Sequence, residues 1–320
     1  MAPKYISKVA IVGAAGHLGT YLANALLSTG THTVTALTRK ESTASPPSGT
    51  TVIRVDYSNE AELIAALQGI DFLIITLNAT APPETHTLIC KAAGKAGVPY
   101  IMPNAHGSDP RETQLQNESL FGPIVQKNIA DVTSAGATYV VLGCSVWYEW
   151  SLALGENFFG FDVANRKGVL VDGGDVVLSS STFEQCGRAV AALLSLPVES
   201  EDGGPALRDY DNKPVLFHSF RVTQRDMLDS LHRVLGTTDK DWVIEERDSK
   251  ERREEGLKEL QEGNRMGFAK AMYSRYLSRE GGADFGKKPD LAMNVLGLKE
   301  ESVDEATKRV VEMVKSGWKP

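Results

Sequence analysis

Gly13, Gly16 and Gly19 recur at intervals of three in the run Gly-Ala-Ala-Gly-His-Leu-Gly. Glycines so spaced between a strand and a helix suit the binding of a diphosphate. The first permits a tight turn, the second lets backbone N–H groups approach the ligand, and the third lets helix and strand pack closely. Ala15, His17 and Leu18 lie in the same turn and share the cradle. The start of the following helix adds a partial positive charge. A second group follows about 20 residues after the last glycine, where a site for NAD would place Asp or Glu on the ribose 2′-hydroxyl. This chain has Arg39-Lys40 at that point. A guanidinium grips phosphate bidentately and an ammonium adds a point charge, so the pair suits a 2′-phosphate, and the cofactor expected is NADP(H). Two basic residues opening a solvated Ser/Pro-rich loop to Gly49 is the other reading of the same residues.

The elements that must hold these groups are legible from periodicity. Val9–Val12 is a short apolar run suited to a strand buried on both faces, and Leu18, Leu22, Ala25 and Leu26 make an apolar helical stripe behind it. Strands are then expected over Thr33–Thr38, Thr51–Asp56, Asp71–Leu77, Pro99–Met102 and Thr138–Leu142. Helices are expected over Glu60–Gln68, Glu84–Ala96 and Gln126–Ser134. Strands alternating with helices at short intervals predict an α/β fold, a Rossmann-type doubly wound parallel sheet. Ligands of such sheets lie over the carboxyl ends of the strands. Asp56 and Tyr57 are therefore expected near the adenine, and Asn78, Pro103 and Asn104 near the ribose and nicotinamide.

After residue 143 the pattern changes to aromatic-rich segments, one late strand over Lys213–Phe220, and helices over Gln224–Leu235, Ser249–Asn264, Phe268–Leu277 and Glu301–Lys315. The division expected is a dinucleotide-binding domain over residues 1–145 and a smaller, mostly helical substrate lobe over 146–320. The lobe is expected to be interleaved with late strands of the large sheet. Residues 150–165 and 265–295 are expected to form a lid.

The whole chain has 320 residues, 42% of them hydrophobic, and a net charge of −7, which argues against a nucleic-acid or anionic-membrane surface. No apolar run reaches the ~18 residues of a membrane helix, and the opening Met-Ala-Pro-Lys-Tyr lacks the apolar core of a secretory signal. A cytoplasmic location, a small-molecule substrate and no nucleic-acid or membrane partner are expected, with a homodimer compatible. Cys90, Cys144 and Cys186 read as reduced core thiols, and the histidines show no spacing for a metal site.

The glycine turn, Thr38-Arg39-Lys40 and the segment Val98-Pro-Tyr-Ile-Met-Pro-Asn-Ala-His-Gly-Ser-Asp109 together resemble the NmrA-like and isoflavone reductase-like branch of atypical short-chain dehydrogenases. Cys144–Phe161 and Ser180–Val190 are similar to fungal members of that branch. The resemblance implies a dinucleotide-binding fold and either of two classes of activity. One is an NADPH-dependent reductase of a carbonyl, imine or polarised C=C bond in an aromatic or polyketide-like metabolite. The other is a non-redox protein, a dinucleotide-sensing regulator or an enzyme of rearrangement or elimination.

The resemblance also implies an active-site lysine, which by spacing falls near Ser119 or Leu120, and neither can replace it. Lys127 is the nearest lysine and the substitute candidate. Ala105-His106 stands where relatives often carry Glu and an aromatic residue, and His106 titrates near neutrality, so it is a candidate general acid or base. Tyr148 follows the strand Thr138–Leu142, and its phenol is the third candidate proton donor. Trp147, Tyr148, Trp150 and Phe158 supply aromatic surface for a substrate ring. Arg39→Ala tests the cofactor assignment: the preference for NADPH over NADH, measured as a ratio of dissociation constants, is expected to collapse, and an unchanged ratio rejects it.

Overall fold

A computed structural model describes residues 4–78 and 80–319. The first half of the chain runs β1 (Lys8–Val12), α1 (His17–Ser28), β2 (Thr33–Arg39), β3 (Thr51–Val55), α2 (Glu60–Leu67), β4 (Phe72–Ile75), α3 (Pro83–Ala96), β5 (Tyr100–Met102), α4 (Thr113–Glu118), α5 (Gly122–Ser134) and β6 (Thr138–Gly143). There follow β7 (Val146–Trp147), α6 (Tyr148–Ala153), β8 (Phe161–Asp162), β9 (Lys167–Val171), β10 (Leu178–Ser181), α7 (Phe183–Ser195), β11 (Lys213–Leu216) and β12 (Phe220–Val222). The chain ends through α8 (Gln224–Leu235), β13 (Val243–Arg247), α9 (Ser249–Gln261), α10 (Met266–Tyr276) and α11 (Val303–Lys315).

Seven strands form one sheet in the order β11-β6-β5-β4-β1-β2-β3, and every neighbouring pair is parallel. Val9–Val12 and Phe72–Ile75 are wholly buried, which is why these central strands carry no alternation. One face is covered by α1 and α7, the other by α2, α3 and α5. Strands β1 to β3 run to one edge and β4 to β6 to the other. The fold is therefore doubly wound and Rossmann-type, with its crevice at the carboxyl ends of β1 and β4.

Local chemistry sets the helix ends. Asn59 caps α2 by accepting from Glu62 N at 3.2 Å, and Thr182 caps α7 by accepting from Gln185 N at 2.9 Å. Pro83 opens α3, and Gly97 closes it in the left-handed region at φ 79°. Helix α1 begins after Gly16 with no capping side chain and no acid in its first turn.

The lobe follows β6, but α7 returns to α1 and β11 returns to the edge of the large sheet beside β6. Two three-stranded sheets, β12-β10-β7 and β13-β9-β8, accompany the lobe helices. Their strands have two to five residues, too few for alternation to show in the sequence. The run Lys213–Phe220 is two strands and not one. Phe217 N still pairs with Gly143 O of the large sheet, whereas Ser219 N pairs with Ser180 O of the small one. Segments 150–165 and 265–295 meet through Phe158 and Phe159 against Tyr273, at ring distances of 5.1 and 5.4 Å.

A Cβ at Gly13, where φ is 84°, would lie 2.2 Å from Thr76 O. Gly13→Ala is expected to cost about 2–4 kcal/mol from left-handed strain and overpacking, read by denaturant unfolding. A loss under about 0.5 kcal/mol would show that the turn does not need the glycine.

Candidate active site

The crevice begins at the open end of α1. Gly16 N donates to Gly13 O at 2.9 Å, and the first bond of the helix runs from Thr20 N to Gly16 O at 2.9 Å, so the amides of His17, Leu18 and Gly19 have no helical acceptor. A Cβ at Gly16 would meet only Gly13 O, at 3.2 Å, which leaves the ground above these amides clear. Leu18 turns into the core, Gly19 lies against the Gly13 carbonyl, and Ala15 is half-buried. An uncapped helix start with free amides and no nearby acid fits a diphosphate.

At the end of β2 the two basic residues separate. Lys40 is held by Glu62 at 2.6 Å, and Glu62 also accepts from Asp56 N at 3.0 Å. Arg39 is exposed and, among the described residues, has no acidic partner, which leaves its guanidinium open to an anion. The Asp56 carboxylate closes its own turn on Ser58 N and Oγ at 2.8 and 2.7 Å. Tyr57 donates its hydroxyl to Leu37 O at 3.0 Å, and burial pushes the phenol up to about 12. Its half-buried ring lies near Arg39. The exposed Asn78 likewise closes its own turn, accepting from Thr80 N and Oγ1 at 2.8 Å.

Beyond β5, Pro103 is buried and Asn104 is held at three points. Its N–H donates to His86 Nε2 at 3.2 Å, its Nδ2 donates to Leu77 O at 3.3 Å, and its carbonyl accepts from Asn128 Nδ2 at 2.8 Å. His86 is braced in turn by Asp131 at 2.9 Å. His86 and Asn128 were not singled out from sequence, although each lies on the inward face of an amphipathic helix. Ser145 was also missed. It adopts a left-handed φ of 56°, its N–H donates to Gly107 O at 2.9 Å, and its buried hydroxyl has no partner. Such backbone strain costs of order 1–3 kcal/mol and concentrates at functional sites.

The three candidate proton donors occupy different settings. His106 donates from Nε2 to Ile75 O at 2.8 Å, and burial lowers its pKa to about 4. The ring is neutral, its Nδ1 is bare and unpartnered, and at neutral pH it has no spare proton. Of the general acid or base expected here, this setting spends the Nε2 proton on Ile75 O and leaves Nδ1 as an acceptor. Lys127 donates to Thr87 Oγ1 and Asp131 Oδ2 at 2.8 Å each and points at Pro83 O at 3.4 Å. An ammonium has three donors, and all are engaged in tying α5 to α3. Tyr148 is fully buried with its hydroxyl on Thr307 Oγ1 at 2.8 Å, and burial holds its pKa well above the usual range. It faces the lobe core and not the cleft.

The aromatic candidates fall into separate groups. Trp147 and Trp150 pack edge-to-face at 6.3 Å and share Phe183, with Trp150 also on His17 at 5.2 Å, whereas Phe158 packs on Tyr273 at 5.1 Å. The loops that do close on the crevice are those after β5 and β6, zipped by Gly107 N to Leu142 O at 3.0 Å and by Ser145 N to Gly107 O. The β5 loop is also pinned to the lobe. Asp109 is wholly buried and takes Arg111 at 2.8 Å and Lys288 at 3.3 Å, while Arg111 reaches Asp290 at 2.7 Å. Burial favours the neutral acid at Asp109, but the Arg111 guanidinium and Lys288 hold its carboxyl below the usual range.

Residues 13–143 match a family model described as NAD(P)H-binding. An oxidoreductase of Aspergillus flavus, aprR, is 28% identical over 315 residues, covering 95% of this chain and 99% of that protein. Quinone oxidoreductase 2 of Escherichia coli is 29% identical over 195 residues, 58% of this chain and 64% of that protein. Among solved structures, an isoflavone reductase superposes with a TM-score of 0.70 at 20% identity, over 97% of this chain and 100% of the other.

The neutral state of His106 makes stability depend on pH. The unfolded ring takes its proton near pH 6.5 and the folded ring near pH 4, so this contribution is complete above 6.5 and is lost as pH falls toward 4. Its size is roughly 3 kcal/mol. Denaturant unfolding at pH 7 and pH 4.5 is expected to show a smaller acid loss in His106→Gln than in the natural chain. Equal losses would mean that His106 does not stay neutral on folding.

Proposed function

We propose that the chain is a member of the isoflavone reductase-like, NmrA-like branch of NAD(P)H-binding proteins, a reading that the matched domain, the fungal oxidoreductase and the shared fold support, and from its cleft that it is an NADPH-dependent reductase of an aromatic, quinone-like acceptor. Within the carbonyl, imine and polarised C=C acceptors, the observation that supports this class is the state of the three candidate donors. His106 holds its one proton on Ile75 O, all three hydrogens of Lys127 are directed at acceptors, and Tyr148 lies in the lobe core. Reduction of an isolated ketone makes a basic alkoxide that needs a proton as it forms, and a positioned acid contributes about 10²–10⁴-fold to such a step. A quinone spreads the charge it gains over its ring and two oxygens and takes its proton from water afterwards. The quinone oxidoreductase named among the relatives supports this acceptor class.

When bound, the dinucleotide supplies the hydride, and the residues of the chain supply position. The amides opening α1 hold the diphosphate, and Arg39 holds the 2′-phosphate, the group that distinguishes NADP(H). Tyr57 flanks the adenine, and Pro103 and Asn104 floor the nicotinamide end. The Asp131–His86 brace and Asn128 keep Asn104 still, so this edge is set before substrate arrives. Ser145 and the bare His106 Nδ1 offer one donor and one acceptor to polar groups in the closed cleft. The substrate is small, and the place of action proposed is the cytoplasm. Among the described residues, no helix is long and apolar enough to cross a membrane.

The same engaged donors also suit a dinucleotide sensor, and turnover separates the two. NADPH oxidation is to be followed with 1,4-benzoquinone, menadione, acetophenone and cyclohexanone. The quinones are expected to exceed the ketones in kcat/KM by about 100-fold or more, with little change from pH 6 to pH 9. Tight NADPH binding without oxidation by either quinone would sink the reductase in favour of the sensor.

A further inference from the structure

Helix α11 ends on a left-handed glycine. Gly317 has φ 68°, its N–H donates to Val314 O at 3.1 Å, and Trp318 N donates to Met313 O at 3.0 Å. This paired closure turns the chain sharply and sets the direction of the next side chain. Trp318 is laid against His17 with ring centroids 5.5 Å apart and planes at 72°, and against Trp150 at 5.5 Å and 77°. His17 and Trp150 complete the triangle at 5.2 Å and 70°. Every pair is edge-to-face, the arrangement aromatic rings prefer. The helix that carries the tail is itself anchored. Arg309 of α11 holds the buried Glu149, next to Trp150, at 2.7 Å, while Ala306, Val310 and Val311 lie in the lobe core.

His17 is the first residue of α1, and the amides it introduces are the anion site of the cleft. An imidazole at that position with free torsions sweeps the space above those amides. Here two indoles, Trp150 from α6 and Trp318 after α11, pack on it edge-to-face and restrict its torsions. We propose that the C-terminal tail is part of the dinucleotide site, with Trp318 a positioning residue that clamps His17 against Trp150 and keeps the phosphate-binding amides clear. The clamp lowers the ordering cost of binding and adds no contact to the reacting atoms. It depends on dinucleotide binding at the β1–α1 turn and not on the acceptor proposed above.

Calorimetric titration of the full chain with NADP⁺, and with 2′-phospho-ADP-ribose, which lacks nicotinamide, tests the clamp. Trp318→Ala is expected to weaken both ligands by about 10-fold. Trp318→Phe keeps a ring edge and is expected to recover most of the affinity. Adding Trp318→Ala to His17→Ala is expected to cost less than about threefold more, because the two residues act as one unit. Trp318→Leu fills the space without a ring edge and carries the same test if the alanine variant unfolds. Unchanged NADP⁺ affinity in the Trp318 variants, or the full 10-fold loss persisting in the His17→Ala background, overturns the clamp. A natural chain that binds neither ligand overturns the β1–α1 site itself, which is a separate failure.

Discussion

Thr76 closes over Gly13: its carbonyl oxygen lies where a Cβ would stand, and its hydroxyl donates to Val12 O at 2.8 Å. That contact joins the carboxyl ends of β1 and β4 at the point where the sheet reverses its winding. With the turn held so tightly, α1 can leave in only one direction, and Gly19 fits because its missing side chain makes room for the Gly13 carbonyl. The open amides of α1, Arg39 at the end of β2 and the Asn104 shelf beyond β5 are then arranged around one crevice. The rest of the architecture keeps this junction dry and still. Apolar strands are sandwiched between helix layers, and the lobe holds down the far loops.

The cleft is built for holding more than for proton transfer. His86 shows the pattern well. Burial lowers its pKa, the Asp131 carboxylate opposes that effect, and the neutral ring accepts from the Asn104 amide while bonded to Asp131 on its other side. Lys127 spends its charge on the same carboxylate, so cation, anion and imidazole form a brace between α3, α5 and the β5 loop. A brace of this kind keeps polar groups satisfied in a low-dielectric setting, where leaving any one of them unpaired would cost 1–3 kcal/mol or more. It also keeps the Lys127 ammonium and the His86 ring engaged with their neighbours.

The large sheet was legible in the chain because its central strands are continuous apolar runs and its helices carry a 3.6-residue stripe. Gly13, Gly16 and Gly19 could be assigned separate duties because a strand precedes them and a helix follows. The lobe was less legible. The two-residue strands at Val146 and Phe161 have no period to detect, and the break at Phe217–Ser219 depends on partners distant in sequence. For the site, residue type was a poor guide to direction. Tyr148 and Trp150 are neighbours on one short helix, yet one faces the lobe core and the other meets His17. Lys127 and Asp131 stand four apart on a helix, a spacing that predicts mutual pairing, whereas the hold of Asp131 on His86 could come only from the packing of α3 on α5.

The return of β11 to the large sheet has a consequence for how the molecule is assembled at the ribosome. Strand β6 is complete at Gly143, but its outer neighbour begins at Lys213, after the first strands of the lobe have been made. Until then the nascent sheet presents a row of unsatisfied hydrogen-bonding groups along β6, the kind of ledge on which stray chains dock. Closing that ledge late makes the two regions partners in biogenesis as well as in binding: synthesis of the lobe must begin before the nucleotide half can be finished.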